Sequence, residues 1–513
     1  MHEIKNIVIV GGGTAGWLTA GVIAARHQAR RAQGFTVTLV ESPTVPIIGV
    51  GEGTWPTLRT TLRKIGVSET DFFRQCDAAF KQGARFNRWT TGAADDGYYH
   101  PLMLPQGFAQ TNLVPHWLAD ADDESFCDAV TPQGRICDAG LAPKTITTAE
   151  YDGVANYAYH LDAGKFSTFL QRHCFDTLGV RHVLADVTDV RLTESGDIDR
   201  LETQQGIEIA GDLFVDCTGF SALLIGKALG VGFRECSDVL FCDTALAMQV
   251  PYGDPEDPIA SHTISTAQDA GWIWDIGLPT RRGVGHVFSS SHTSADEAER
   301  ALRDYVGPAA RDLSVRRLAI RSGHRETFWK NNCVAVGLAA GFLEPLEASA
   351  IVLIELSAKI IAEQLPACRE VMDTVARRYN ETTLYRWGRI IDFLKLHYSL
   401  TKRTDTDFWR DNQRAETIPD RLRDLMALWD YHAPWLHDEF DRVEEVFPSA
   451  SYQYVLYGMG HRTRVTPGTV EADAEQAARI RRENRTLTDR LLQGLPKHRT
   501  LINRIVQHGL QPI

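Results

Sequence analysis

Little in this chain of 513 residues suits a metal centre, a membrane span or a disulfide frame. Its nine cysteines are an odd number, scattered without a C-x-x-C pair, which reads as reduced thiols. Neither H-E-x-x-H nor any clustered Cys/His spacing occurs, so no metal is expected. No apolar run approaches the roughly 20 residues that cross a bilayer. No charged-then-apolar leader precedes Ile7, so the expectation is a cytoplasmic protein without a signal peptide. Positive charge is in deficit, with 54 Lys and Arg against 66 Asp and Glu and a formal net charge of −12. That balance argues against a nucleic-acid surface and favours solubility. Repeats and low-complexity stretches are missing too. What remains is an ordinary globular composition, 43% hydrophobic and 23% charged, long enough for two or three domains' worth of core.

The most informative stretch is the start. Ile7-Val8-Ile9-Val10 suits a buried parallel strand. Gly11, Gly13 and Gly16 follow with G-x-G-x-x-G spacing, and a mostly apolar helix continues from Leu18. One glycine permits the tight turn, one admits a pyrophosphate close to the backbone, and one lets helix pack on strand. Amides from Gly13, Thr14 and Ala15 then face phosphate charge at the helix start. A second apolar strand, 35–40, ends on Glu41, where a ribose hydroxyl would need an acceptor. Dinucleotide binding follows; the bland alternative is a glycine-rich turn in an ordinary α/β unit.

Further along, Gly49, Gly51 and Gly53 flank Glu52 in a loop suited to close backbone approach, or in a plain turn before a helix near 58–65. Residues 71–86 have helical character. Residues 90–150 lack clean periodicity but hold enough aromatics to argue against disorder, and read as a substrate-facing cap. A helix from 161 to 178 precedes short strands at 187–192, 198–203, 206–209 and 212–216. Residues 240–320 look like mixed strands of a second layer, with Trp272-Ile273-Trp274 alternating. A third apolar strand near 332–336 leads into a loop at Gly337 and Leu338, then Pro345 and a helix through 365. The remainder is helical and charged. No second G-x-G-x-x-G is present, and the late strand–loop–helix would close over the far end of one extended cofactor, which favours FAD over NAD.

Along nearly the whole chain the residues resemble the flavin-dependent halogenases of the tryptophan-halogenase family. The matches are Gly11-x-Gly13-x-x-Gly16-Trp17, Gly49-x-Gly51-Glu52, Phe80-Lys81, Tyr157-x-Tyr159-His160-x-Asp162 and Asp216-Cys217-Thr218-Gly219-Phe220. They continue with Trp272-x-Trp274-x-Ile276, Asn332-Cys333-Val334-Ala335-x-Gly337, Pro345-Leu346-Glu347, His397-Tyr398 and 405–410. The resemblance implies an FAD-binding Rossmann-like module of the aromatic-hydroxylase type, α/β in class, with a second mixed sheet layer and a helical C-terminal region. Residues 1–365 would form the FAD module, with insertions near 90–150 and 240–320, and 366–513 a helical substrate-side region.

The activity so implied joins FADH2, oxygen and halide into hypohalous acid, which attacks an electron-rich aromatic ring. A separate NADH-dependent flavin reductase would supply FADH2, chloride or bromide would be co-substrate, and dimers are common in the family. Lys81 matches the lysine that holds the oxidised halogen by hydrogen bonding or as a haloamine; in a closed tunnel its desolvated amine would be more available. By itself a lysine is more often a solvated surface group. Glu347 matches a glutamate that stabilises the cationic ring and takes its proton, and it would equally serve as a helix N-terminal acid. Ser349 and Ala350 match the positions whose amides hold halide. Trp272 and Trp274 would fill space beside the flavin or simply pack a strand, with Pro345 as a packing residue.

Four departures stand out. Gly277 replaces the proline of W-x-W-x-I-P, Ala348 the usual serine, Ala350 a glycine, and Leu102 the aromatic neighbour of the substrate-contacting His100-Pro101. The last, with a cap of unfamiliar composition, points from free tryptophan toward an indole or other small aromatic, with bromide favoured over chloride. Two rival readings are an FAD-dependent aromatic hydroxylase, which needs neither Lys81 nor Glu347, and a flavin-binding redox sensor without turnover.

Overall fold

The computed structural model describes residues 3–31, 34–45, 51–120, 124–436 and 445–513. The chain divides into two compact units, each assembled from three separated segments. Met1–Ala78, Leu161–Cys236 and Arg321–Trp387 make the first, and Ala79–His160, Ser237–Ile320 and Gly388–Ile513 the second.

The first unit is built on a six-stranded sheet in the spatial order Trp329–Lys330, Cys333–Ala335, Leu213–Asp216, Asn6–Val10, Thr36–Glu41, Arg181–Leu184. All its pairings are parallel except the one between Trp329–Lys330 and Cys333–Ala335. The near-continuous apolar strands at 7–10 and 213–215 are what a sheet covered on both faces requires. The helix Thr14–Arg26 packs against Ala163–His173 and Ser349–Glu363. A three-stranded antiparallel meander, Val187–Leu192, Ile198–Thr203 and Glu208–Ala210, stands apart from the main sheet.

The second unit centres on a seven-stranded sheet in the order Arg316–Ala319, Thr244–Pro251, Arg281–Phe288, Gly271–Gly277, Thr263–Gln268, Gly83–Asn87, Gly97–Pro101. Only the pairing of Thr263–Gln268 with Gly83–Asn87 is parallel. The helix Ala295–Val306 starts on a capping box of Ser294 and Glu297 and buries Ala298 and Leu302 against Leu246, Met248, Val284 and Phe288 of that sheet. A 31-residue helix, Arg369–Ser399, carries the chain into the C-terminal helices.

The α/β class, the mixed second sheet and the helical C-terminal region are those expected. The segments 90–150 and 240–320 both fall within the second unit. Two local expectations fail. The helical reading of 71–86 holds only for Glu69–Gln75. Asp77 turns left-handed at φ 51°, and strands Ala79–Lys81 and Gly83–Asn87 follow. Their partners lie elsewhere in sequence, at 158–160, 97–101 and 263–266, and that pairing overrides local helix preference. Residues 90–150 are also more regular than expected, holding the strand Gly97–Pro101 and the short helices Val114–Ala119, Phe126–Val130 and Gln133–Asp138.

Candidate active site

In the first unit the glycine turn is tight enough to dictate its own residue types. A Cβ on Gly11, which has φ 119°, would sit 2.2 Å from the carbonyl oxygen of Cys217, and one on Gly16 would sit 1.8 Å from that of Gly11. Both positions exclude any other residue. Gly13, by contrast, has nothing within 4 Å of such a Cβ. It is the N-cap of Thr14–Arg26, extended at φ −78° and ψ −177°, and no side chain caps that helix. Thr14 and Ala15 thus open a 13-residue helix whose leading amides have no side-chain cap, the arrangement that receives a pyrophosphate.

The late loop packs against the start of the helix Thr14–Arg26. Gly337, left-handed at φ 67°, has the Ala15 methyl 2.7 Å from where its own Cβ would be. Leu338 lies within the same short helical turn, Gly337–Ala339. Asp216 organises the neighbouring corner. It accepts from the backbone N–H of Thr218, Leu224 and Ile225 and from the Thr218 hydroxyl, at 2.6–3.0 Å. These residues fit an extended dinucleotide such as FAD: the turn at Gly11 and Gly16 has no room for side chains, and no side chain caps the helix start.

Glu41 closes the Thr36–Glu41 strand as expected, and it has company that the sequence reading missed. His182 Nε2–H donates to Glu41 Oε2 at 2.8 Å, with its ring edge-on to Trp17. His182 comes from the Arg181–Leu184 strand, which was not anticipated and pairs parallel to Thr36–Glu41. Gly49 lies outside the described residues. Gly51 is buried at the start of the strand Gly51–Gly53, and beside it the Glu52 carboxyl is pushed up to about 7 by burial and then by the charge of Asp162.

Glu347 is 6% exposed, on the turn before Ser349–Glu363. Its carbonyl accepts from Trp55 Nε1 at 2.8 Å, and Ala348 N–H donates to the Pro345 carbonyl at 3.1 Å. Ala348 is left-handed at φ 54°, ψ 41°, and offers no side-chain cap. Ser349 and Ala350 therefore start a 15-residue helix with their N–H groups ahead of any intrahelical partner. One and a half turns on, Glu355 accepts from the Thr57 and Thr61 hydroxyls, and burial pushes its carboxyl up to about 7.

In the second unit Lys81 ends the strand Ala79–Lys81 and is 4% exposed. A lysine this buried is rare without a chemical reason. Its strand pairs antiparallel with Ala158–Asp162 in the register Ala79↔His160, Phe80↔Tyr159, Lys81↔Ala158. Trp272 and Trp274 occupy one face of Gly271–Gly277, both buried, with centroids 6.4 Å apart. Trp272 continues to Trp89, while Trp274 lies over Gly285, where a Cβ would be 2.1 Å from its ring. His100 Nε2 is 2.9 Å from Ser451 Oγ, and its ring lies among Phe393, Phe447 and Tyr454; Pro101 follows it in the same buried strand. Among the described residues no cluster of three His, Cys, Asp or Glu could hold a metal ion. Among them, too, no helix is long and apolar enough to cross a membrane.

The glycine cradle and the sheet around it define an FAD-type dinucleotide-binding fold. Residues 6–475 match the tryptophan halogenase family model. The chain is 34% identical to 7-chloro-L-tryptophan 6-halogenase of Kutzneria sp. (strain 744), over 97% of this chain and 99% of that one. A solved structure of tryptophan halogenase from Shewanella frigidimarina superposes with a TM-score of 0.97 at 48% identity, covering 100% of this chain and 99% of that one. Tar14, a tryptophan C-6 flavin-dependent halogenase from taromycin biosynthesis, follows at 0.92 and 34%, over 98% and 100%. The chain belongs to the tryptophan halogenase family, and its activity is flavin-dependent halogenation; the aromatic hydroxylase reading is set aside.

Proposed function

We propose that this enzyme halogenates an indole-like ring, with tryptophan, the substrate named for its relatives, the first to test. The observation that carries the reading is the burial of Lys81, a strongly hydrated side chain kept almost wholly from water. Reduced FAD, delivered by a separate NADH-dependent reductase, supplies with oxygen the two-electron oxidation of chloride or bromide to hypohalous acid. Gly11, Gly13, Thr14, Ala15, Gly16, Glu41, Gly49, Gly51, Gly337 and Leu338 would hold the cofactor. Backbone N–H groups at Ser349 and Ala350 hold halide, because uncapped donors at a helix start suit a small anion.

Hypohalous acid attacks too many groups to be set free. Lys81 retains it through an N–H donor or by becoming a haloamine, and so directs the electrophilic halogen. Glu347 lowers the energy of the cationic ring by Coulomb attraction and accepts the ring proton afterwards. His100 and Pro101 contact the substrate. Trp272, Trp274 and Pro345 are packing residues that keep the oxidised halogen from bulk water.

The experiment is a panel of indoles and phenols with chloride or bromide, a flavin reductase and NADH, read by product mass. A halide-dependent mass increment is expected, with an indole ahead of the phenols and bromide ahead of chloride. Lys81→Met and Glu347→Gln should each lose about 100-fold or more in product while FAD titration is unchanged. Full product from Lys81→Met would end the assignment of that lysine.

A further inference from the structure

Lys81 shares one face of an antiparallel strand pair with a histidine that has no other evident task. In the register given above, Lys81 and His160 are diagonal neighbours, and Ala79 and Ala158 are the other residues this strand pair places on that face. Diagonal pairs sit about 7 Å apart, a gap that a lysine side chain spans. His160 is wholly buried; its Nε2 lies 2.8 Å from Thr263 Oγ1, and its Nδ1 has no hydrogen-bond partner. A buried imidazole nitrogen left unpartnered costs free energy and calls for an explanation.

Three charged or titratable groups act on His160: Lys81 on the neighbouring strand, His498 at the start of the last helix, and His262 ahead of Thr263–Gln268. Burial and then the Lys81 charge hold its proton affinity well below the usual histidine range. His498 is spent, because its Nε2 accepts from the Phe80 N–H at 3.1 Å and its Nδ1–H donates to the Ile259 carbonyl at 2.9 Å. Burial and then the permanent charge of Arg85 take His262 down to about 3. His160 alone has both an unpartnered nitrogen and, as the first charge acting on it, one that the chemistry itself can remove.

We propose that His160 is the proton acceptor for Lys81, a positioning residue whose Nδ1 takes up the proton that the ammonium releases when its nitrogen is halogenated. This rests on the assignment of Lys81 made above. The step is Lys81–NH3+ + HOX + His160 → Lys81–NHX + H2O + His160–H+. Two N–H bonds and the O–X bond break and N–X forms; one proton goes to His160 Nδ1, and the other goes to the displaced hydroxide, which leaves as water. Losing the ammonium charge removes the electrostatic opposition to protonating His160, so the proton is accepted as it is released. Transfer to the ring reverses it, the ring proton that Glu347 first takes returning through solvent: ArH + Lys81–NHX + His160–H+ → ArX + Lys81–NH3+ + His160. The proton is borrowed, and no further oxidant is needed.

The test uses the full-length FAD-loaded enzyme with reductase, NADH and halide but no aromatic. After one turnover and desalting, the oxidising halogen held on protein is measured by iodide oxidation. His160→Gln keeps an amide for Thr263 but cannot take the proton. It should store the halogen roughly 100-fold more slowly than the parent, the usual loss when a general base is removed. Its rate should climb tenfold per pH unit as solvent replaces the lost base, while the parent stays flat. Equal storage at every pH would overturn the proposal. A second readout does not depend on that variant folding. In Lys81→Met, the imidazole carbon resonance of His160 should shift with protonation at a higher pH than in the parent, and an unmoved titration would overturn the coupling. Full aromatic halogenation by Lys81→Met would remove the underlying lysine assignment. Loss there with normal storage in His160→Gln would remove only the histidine's role.

Discussion

The nucleotide cradle of the first unit is shaped by what its residues lack, and the interior of the second by how much its residues carry. At Gly11 and Gly16 the backbone approaches so closely that a single methyl group would collide with a carbonyl. In the second unit Phe393 stacks on Phe447 with centroids 3.7 Å apart, and Tyr452 meets Phe393 edge-on. Beneath them Arg389 is 2% exposed, donating to Glu445 and to the Tyr452 hydroxyl at 2.8 Å. Close backbone geometry and dense aromatic packing tolerate change differently. The first fails by steric exclusion at one atom, the second by loss of a paired or packed group.

Substitutions can break this contrast or sharpen it. The largest effect belongs to Gly11→Val, whose branched side chain has no place against Cys217; FAD affinity should fall at least about 100-fold or the protein should not fold. Normal flavin titration of that variant would refute the steric account. Next comes Arg389→Leu, which removes from buried Glu445 and Asp392 the guanidinium that both face. It should cost about 3–5 kcal/mol in denaturant unfolding while FAD binding of surviving protein persists.

Glu355 supplies a pH test within the first unit. Its folded pKa of about 7 stands above the ordinary 4.5, so between those values the native state holds a proton that the unfolded chain has released. Stability from this group is full below about 4.5 and declines as pH rises toward 7, by about 3 kcal/mol in all. Glu355→Gln should flatten that decline in urea midpoints measured from pH 5 to 7; an unchanged slope would discount the carboxyl. The smallest effect is that of Trp55→Phe, which forfeits one hydrogen bond to the Glu347 carbonyl and should cost about 1 kcal/mol.

The same contrast explains what the sequence made visible. Gly11, Gly13, Gly16 and the two flanking strands were readable because a tight turn constrains neighbours in the chain. Gly337 was readable for the same reason, as a loop after an apolar strand. Lys81 was placed on a helix by local character, because its strand exists only through pairing with residues 158–160. His182 escaped notice likewise, and His160 stood out only as part of a motif, with no task attached. Each owes its setting to a strand register, and register joins residues that the sequence keeps dozens of positions apart.

One consequence of the first sheet concerns the order in which it is made. Leu213–Asp216 has Asn6–Val10 on one side and Cys333–Ala335 on the other. During synthesis from the N-terminus, the outer edge of Leu213–Asp216 stays unpaired until residue 335 has left the ribosome. A bare apolar edge of this kind invites pairing with another chain. Nascent or truncated forms ending before Cys333 should therefore be the aggregation-prone ones, and chaperone demand should fall sharply once that strand is in place.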